Sequence, residues 1–243
     1  MRTHQVSPMS AMRKSVQLLL LLLFSSCSVT KMNVVLDLRS STLAFDTSDA
    51  HPEFDVVSLR YPGRGTAGTV ATDYGAPEIP ELGFQVVLPQ WVRVKSVAGV
   101  ATDAESVPGS FRLMPLQHPI PSLRRPGSSE TVAAPAFVPP LPEIYDSVKP
   151  YPPRLFEYVP RGSPQGDFNV ADIVAYPVRY IPREGKLTFY RRFRFVLTLV
   201  PDRSGYVPGR TQPSEVVRKE LEEGMRGSVI NPEDVSRFAP WGR

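Results

Sequence analysis

The chain is poor in the residues most enzymes rely on. Its 243 residues include one cysteine and three histidines. Cys27 alone cannot close a disulfide within the chain. Apart from His4 near the start, His51 and His118 are left for metal binding or general-base work, and no H-E-x-x-H, G-x-S-x-G or P-loop pattern occurs. His118, in "LQHPIP", reads as a loop or strand residue. Glu78 and Glu81 lie close in sequence, but in proline-rich text solvated carboxylates are commoner than a glycosidase pair. Long apolar runs are scarce too. The run from Leu18 to Phe24 is far below the ~20 residues that span a bilayer. These gaps argue against catalysis by this chain, against a bound metal or cofactor, and against a spanning helix.

That short apolar run has a different use. Arg13 and Lys14 precede it and small residues follow, which is the pattern of an export signal covering residues 1–27. Phe24-Ser25-Ser26-Cys27 resembles the lipobox of bacterial lipoproteins, so Cys27 is a candidate lipidation site. Ordinary cleavage nearby is the competing reading. Either way the expected product is exported, as an extracellular, periplasmic or lipid-anchored protein. Residues 1–26 hold Arg2, Arg13 and Lys14 and no acid, so losing them lowers the formal charge from +4 to about +1. Binding to nucleic acid rests on phosphate neutralisation, and a nearly neutral product is a poor candidate for it.

Proline is abundant, at 27 residues, about 11% of the chain against roughly 5% in an average protein. An interior proline removes a helix donor and clashes with the preceding turn, so short strands between proline-bounded loops fit best. "MNVVLDLRSSTLAFD" and "FDVVSLRYPG" read as strands. In "GFQVVLPQWVRVKS", Phe84, Val86 and Leu88 share one face, and Val92, Val94 and Ser96 continue the same phase. The next text starts as a strand near Phe111 to Leu113 and becomes a proline-rich, small-residue loop until about Glu143. At the far end Ser214 is an N-cap candidate, Glu215 suits a first turn, and Val217, Leu221 and Met225 form a thin apolar stripe. A short helix is expected there, stopped by Gly224 or Gly227. "SVINPEDVSRFAPWGR" reads as a linker after it.

The densest strand text is "YPVRYIPREGKLTFYRRFRFVLTL". Pro182-Arg183-Glu184-Gly185 is a turn sequence that pairs Ile181 with Lys186. Tyr180 then faces Leu187, Val178 faces Phe189, Tyr176 faces Arg191 and Val174 faces Phe193. This register collects Tyr180, Val178, Val174, Leu187, Phe189, Phe193, Phe195 and Leu197 on one side. Arg179, Thr188, Tyr190, Arg192, Arg194 and Thr198 fall on the other, the wet face of a half-buried sheet. Arg191 alone breaks the alternation.

Several segments, in order, resemble the propeptide domain of the gingipain family of secreted cysteine peptidases. They are "GAPEIPELGFQVVLPQWVRV", "RLMPLQHPIP", "IYDSVKPYPP" and "IVAYPVRYIPREGKLTFYRRFRFVLTL", spanning about Val34 to Val200. The resemblance implies an all-β, jelly-roll-like β-sandwich over residues 28–205, with proline-rich loops and a short C-terminal helix. Residues 206–243 would hold that helix and a linker toward a catalytic domain that this sequence does not contain. The implied role is that of a folding assistant and latency inhibitor. It would cover the active-site cleft of a gingipain-like peptidase, its partner in cis or in trans, and offer a basic residue to the specificity pocket. Arg124 and Arg125 on the proline-rich loop are the first candidates for that contact or for processing, with Arg161 and Arg210 behind them. The alternative is a surface-anchored β-sandwich lipoprotein binding a protein or glycan, suggested by Cys27 and by the aromatics Trp91 and Trp241.

Overall fold

The computed structural model describes residues 29–69, 73–119, 135–160, 168–202 and 213–241. In chain order the strands are β1 (Thr30–Asp37), β2 (Thr42–Thr47), β3 (Asp55–Arg60), β4 (Thr66–Thr69), β5 (Pro80–Val87), β6 (Val92–Val107), β7 (Phe156–Val159), β8 (Val170–Ala175), β9 (Val178–Ile181) and β10 (Lys186–Pro201). The α-helices are α1 (Pro142–Tyr145) and α2 (Glu215–Ser228). This is the all-β sandwich with a C-terminal helix that the sequence leads one to expect.

β10 is the spine of the first sheet. Leu187, Phe189, Phe193, Phe195, Leu197 and Leu199 are buried along it, and the even-numbered residues between them face outward. β6 follows one side of β10 for its whole length. The other side is shared, by β9 against Lys186–Phe189 and by β1 against Arg192–Leu199. The hairpin register is as expected for Ile181↔Lys186, Tyr180↔Leu187 and Val178↔Phe189. Further back the expectation fails, because Tyr176 and Val174 do not continue opposite Arg191 and Phe193. Pro177 has no N–H for a ladder, its carbonyl accepts from the Tyr190 N–H at 2.8 Å, and the chain leaves for the other sheet. In β8 the inward residues are therefore Ala171, Ile173 and Ala175, and Val174 is half-buried.

Arg191 finds its place at this departure. It lies where β9 has ended and β1 has not begun, so the inward side of the sheet is open there. Its guanidinium pairs with Glu105 at 2.6 Å, donates to the Ser41 carbonyl at 2.8 Å, and lies 4.7 Å from the centre of the Phe189 ring. A second departure from the simple alternation occurs in β6. The register slips by one between Thr198 and Leu199, which leaves Lys95 without a partner between Val94 and Ser96. Val94 stays buried, whereas Ser96 turns to solvent instead of continuing the apolar face.

The second sheet runs β4-β5-β8-β7, antiparallel throughout. Leu82, Phe84 and Val86 of β5 and Ile173 and Ala175 of β8 meet Phe193, Phe195 and Leu197 of β10 in one core. β2 and β3 form a separate hairpin tied in by the Asp55↔Leu113 bridge and by Phe45 stacked on Phe111 at 4.8 Å.

α2 starts where expected, with the Ser214 hydroxyl accepting from the Val217 N–H. It is not stopped by Gly224 or Gly227; a Cβ at either would meet nothing within 4 Å, and the helix continues to Ser228. Of the predicted apolar stripe, Met225 is buried, while Val217 and Leu221 remain exposed. The text read as a linker is packed. Val229, Val235 and Ala239 join Met225, Phe168, Val170 and Val87 in a second, smaller core. Beyond Gly83, β4 no longer pairs with β5, and the tail covers that edge. Ile230 donates to the Gln85 carbonyl at 3.0 Å, and the Asn231 amide bonds both the N–H and the carbonyl of Val87. An uncovered strand edge invites foreign pairing, and here the chain's own end occupies it.

Candidate functional site

Cys27, Arg124, Arg125, Arg161 and Arg210 all lie outside the described residues. The histidines and carboxylates weighed from sequence are placed, and they do not converge. The His51 ring lies 4.0 Å from Phe137, with Glu53 3.7 Å from its Nδ1, and the His118 ring lies 3.9 Å from Tyr74. Among the described residues no group of His, Cys, Asp and Glu is arranged to hold a metal. Glu81 has its like-charged neighbour in Glu157, across the sheet, rather than in Glu78.

Charge is divided between the two sheets. Lys31, Arg192 and Arg194 stand on the outer face of the first. The acid among them, Asp37, is bound by the Arg39 side chain and backbone, which hold its carboxyl down at about 2. Glu81, Asp172 and Glu157 stand on the outer face of the second sheet. Partial burial and Glu157 push the Glu81 carboxyl above its ordinary range. Burial, then Glu157 and Glu81, push the neighbouring Tyr176 phenol up to about 12. The three acids come from separate segments, so no local sequence pattern gathers them.

The most site-like region is built by "SVKPYPPRLFEY". α1 packs its Tyr145 under this stretch, with the phenol donating to the Leu113 carbonyl at 2.7 Å; burial raises that hydroxyl's pKa. Tyr151 and Tyr180 exchange two backbone hydrogen bonds of 2.7 Å, and the Tyr151–Pro152 peptide is cis. The chain then presents exposed Arg154 between two cavities. One, of 530 Å³, has Tyr151, Pro152 and Tyr176 in its walls, and the other, of 540 Å³, has Val97, Gly99, Phe156 and Arg179. Pro153, Arg154 and Glu157 border both. Apolar surface with a few convergent polar groups is the composition of ligand clefts in general. Arg154 belongs to no motif of the sequence. Its signal was the arginine directly after a Pro-Pro pair, which stiffens the backbone before it.

No protein-family model and no curated protein matches the sequence. Among solved structures, a chain in the complex of Porphyromonas gingivalis RgpB pro- and mature domains is similar, with a TM-score of 0.50 and 11% identity over 84% of this chain and 93% of that one. A structure on the zymogenic latency of gingipain K from Porphyromonas gingivalis is also similar, with a TM-score of 0.46 and 18% identity over 72% of this chain and 93% of that one. At 11% identity the likeness to the RgpB complex is one of fold. The sandwich resembles the non-catalytic prodomain rather than the peptidase domain.

Proposed function

We propose that this chain is the prodomain of an exported gingipain-like cysteine peptidase and acts as folding assistant and latency inhibitor by covering the active-site cleft. The observation that carries the reading is extent. One fold match takes in 84% of this chain and 93% of a chain from a structure that holds pro- and mature domains together. The ordered motifs from about Val34 to Val200 point the same way. Inhibition of this kind needs no chemistry from the prodomain: a rigid surface excludes substrate and water from the cleft, and a basic side chain occupies the specificity pocket. Arg124, Arg125, Arg161 and Arg210 remain the candidates for that contact, and exposed Arg154 joins them. The test is to titrate the purified chain against a gingipain-like peptidase from the same source. Inhibition at micromolar chain is expected, weakened by replacing Arg124 and Arg125 together with alanine. Unchanged peptidase activity, with no effect of the chain on refolding yield, overturns the proposal.

A further inference from the structure

β6 is sixteen residues long and pairs on one side with β10; among the described residues nothing pairs with its other edge. Proteins guard such edges with bulges, kinks and charges. β6 has guards at two points. Lys95 is the extra residue of the register slip, and Asp103 bends the strand with a φ of 55°. Between them Ser96–Thr102, "SVAGVAT", has no charge, no proline and no large side chain. Seven residues is close to the length of an ordinary strand. Val100, near the centre, is 63% exposed.

This window borders the 540 Å³ cavity. Val97 and Gly99 form one wall, and Leu155, Phe156 and Tyr158 form the other. A Cβ on Gly99 would fall 2.6 Å from the Phe156 ring, so glycine is what lets that ring reach the strand. Arg154, Arg179 and Glu157 also line the cavity. Arg179 is only loosely held. One Nη donates to the Pro153 carbonyl at 3.4 Å, and its Nε–H is shielded from solvent with no acceptor. A shielded guanidinium donor without a partner is unfavourable unless an acceptor arrives.

We propose that the β6 edge and this cavity bind an extended peptide segment by strand addition. Its backbone pairs with Ser96–Thr102, its inward apolar side chains enter the cavity, and one inward carboxylate reaches Arg179. Main-chain bonds supply most of the affinity in this mode, and the pocket for alternate side chains supplies selectivity. The charge of the occupant follows from Arg154 and Arg179, which outnumber Glu157. The inference does not depend on the prodomain reading.

The experiment uses the full chain and a fluorescein-labelled, acetylated and amidated probe, Thr-Val-Thr-Glu-Thr-Val-Thr, followed by anisotropy. Saturable binding is expected. Exchanging the probe's Glu for Lys should weaken it about tenfold, the loss of one charge-assisted contact. Arg179→Ala should erase the difference between the two probes. N-methylation of alternate probe residues provides a readout that needs no protein variant. Because successive N–H groups of a strand point to opposite sides, one methylated set should abolish binding and the other should spare it. No saturation, or equal tolerance of both sets, overturns the proposal. Concentration-dependent doubling of mass in sedimentation of the chain alone, lost on Val100→Lys, assigns the edge to a second copy and overturns the peptide as occupant.

Discussion

Replacing Asn231 gives the sharpest quantitative test of how the C-terminal segment is held. Its amide supplies the two hydrogen bonds that a neighbouring strand would give Val87. Oδ1 accepts from the Val87 N–H at 2.9 Å, and Nδ2 donates to the Val87 carbonyl at 3.0 Å. The side chain is 4% exposed. Asn231→Ala leaves a buried donor and a buried acceptor without partners, each costing about 1–3 kcal/mol. Water entering the vacated space recovers part of this, so the expected loss is about 2–4 kcal/mol. In a domain of this size that lowers Tm by on the order of 5–12 °C, read by differential scanning calorimetry. Leu221→Ala, on the 41% exposed face of α2, is the control and should change stability by less than about 0.5 kcal/mol. Asn231→Asp keeps the acceptor, loses the donor and places a charge beside Asp234, whose Oδ2 lies 3.1 Å from Asn231 Nδ2; its deficit should shrink as pH falls. An Asn231→Ala protein melting within about 1 °C of wild type would refute the claim that the tail is an integral cover of the β5 edge.

Three further outcomes follow from the same geometry. Arg191→Met removes the Glu105 pair and the bond to the Ser41 carbonyl, and should lower denaturant stability by about 1.5–3 kcal/mol. Glu105→Gln should lower it less; equal effects would contradict the role given to the Ser41 contact. Gly99→Val drives a Cβ to within 2.6 Å of the Phe156 ring and should cost about 1–3 kcal/mol, with Phe156→Ala largely erasing the added penalty. Glu81 has a carboxyl pKa raised by burial and by Glu157, so its ionisation favours the unfolded state. Glu81→Gln should therefore raise Tm near neutral pH and leave it unchanged well below the carboxylate range, where both states are protonated. A stabilisation independent of pH would reject that account.

Much of the fold is legible in single segments. In β10, alternate residues from Leu187 to Leu199 announce which face is buried, and a turn with glycine at 185 sets the hairpin register. That glycine has a φ of 65°, which a larger residue adopts only with strain. Legibility ends where a segment's neighbours change partway along. Val178 and Val174 look alike in sequence, yet one pairs with β10 and the other with β5 and β7, because Pro177 interrupts the ladder between them. Ser96 failed for a similar reason: a one-residue slip at Lys95 reverses the facing of everything after it. The candidate site was less legible. Arg154, Arg179 and Gly99 belong to three segments, and no spacing rule links them.

Sequence alone determined the fold class of this protein. Proline at about 11% with alternating apolar runs leaves a β architecture as the way to bury a core. Those are properties of local pattern and composition, and a local reading captures them. Tertiary structure decided what each polar residue does. Arg191 is satisfied because β9 stops before β1 begins, Asn231 is structural because β4 leaves an edge of β5 uncovered, and β6 keeps an open edge because nothing in the described chain arrives to pair with it. Each outcome depends on where strands start and stop relative to one another. That is set by packing between segments far apart in the chain.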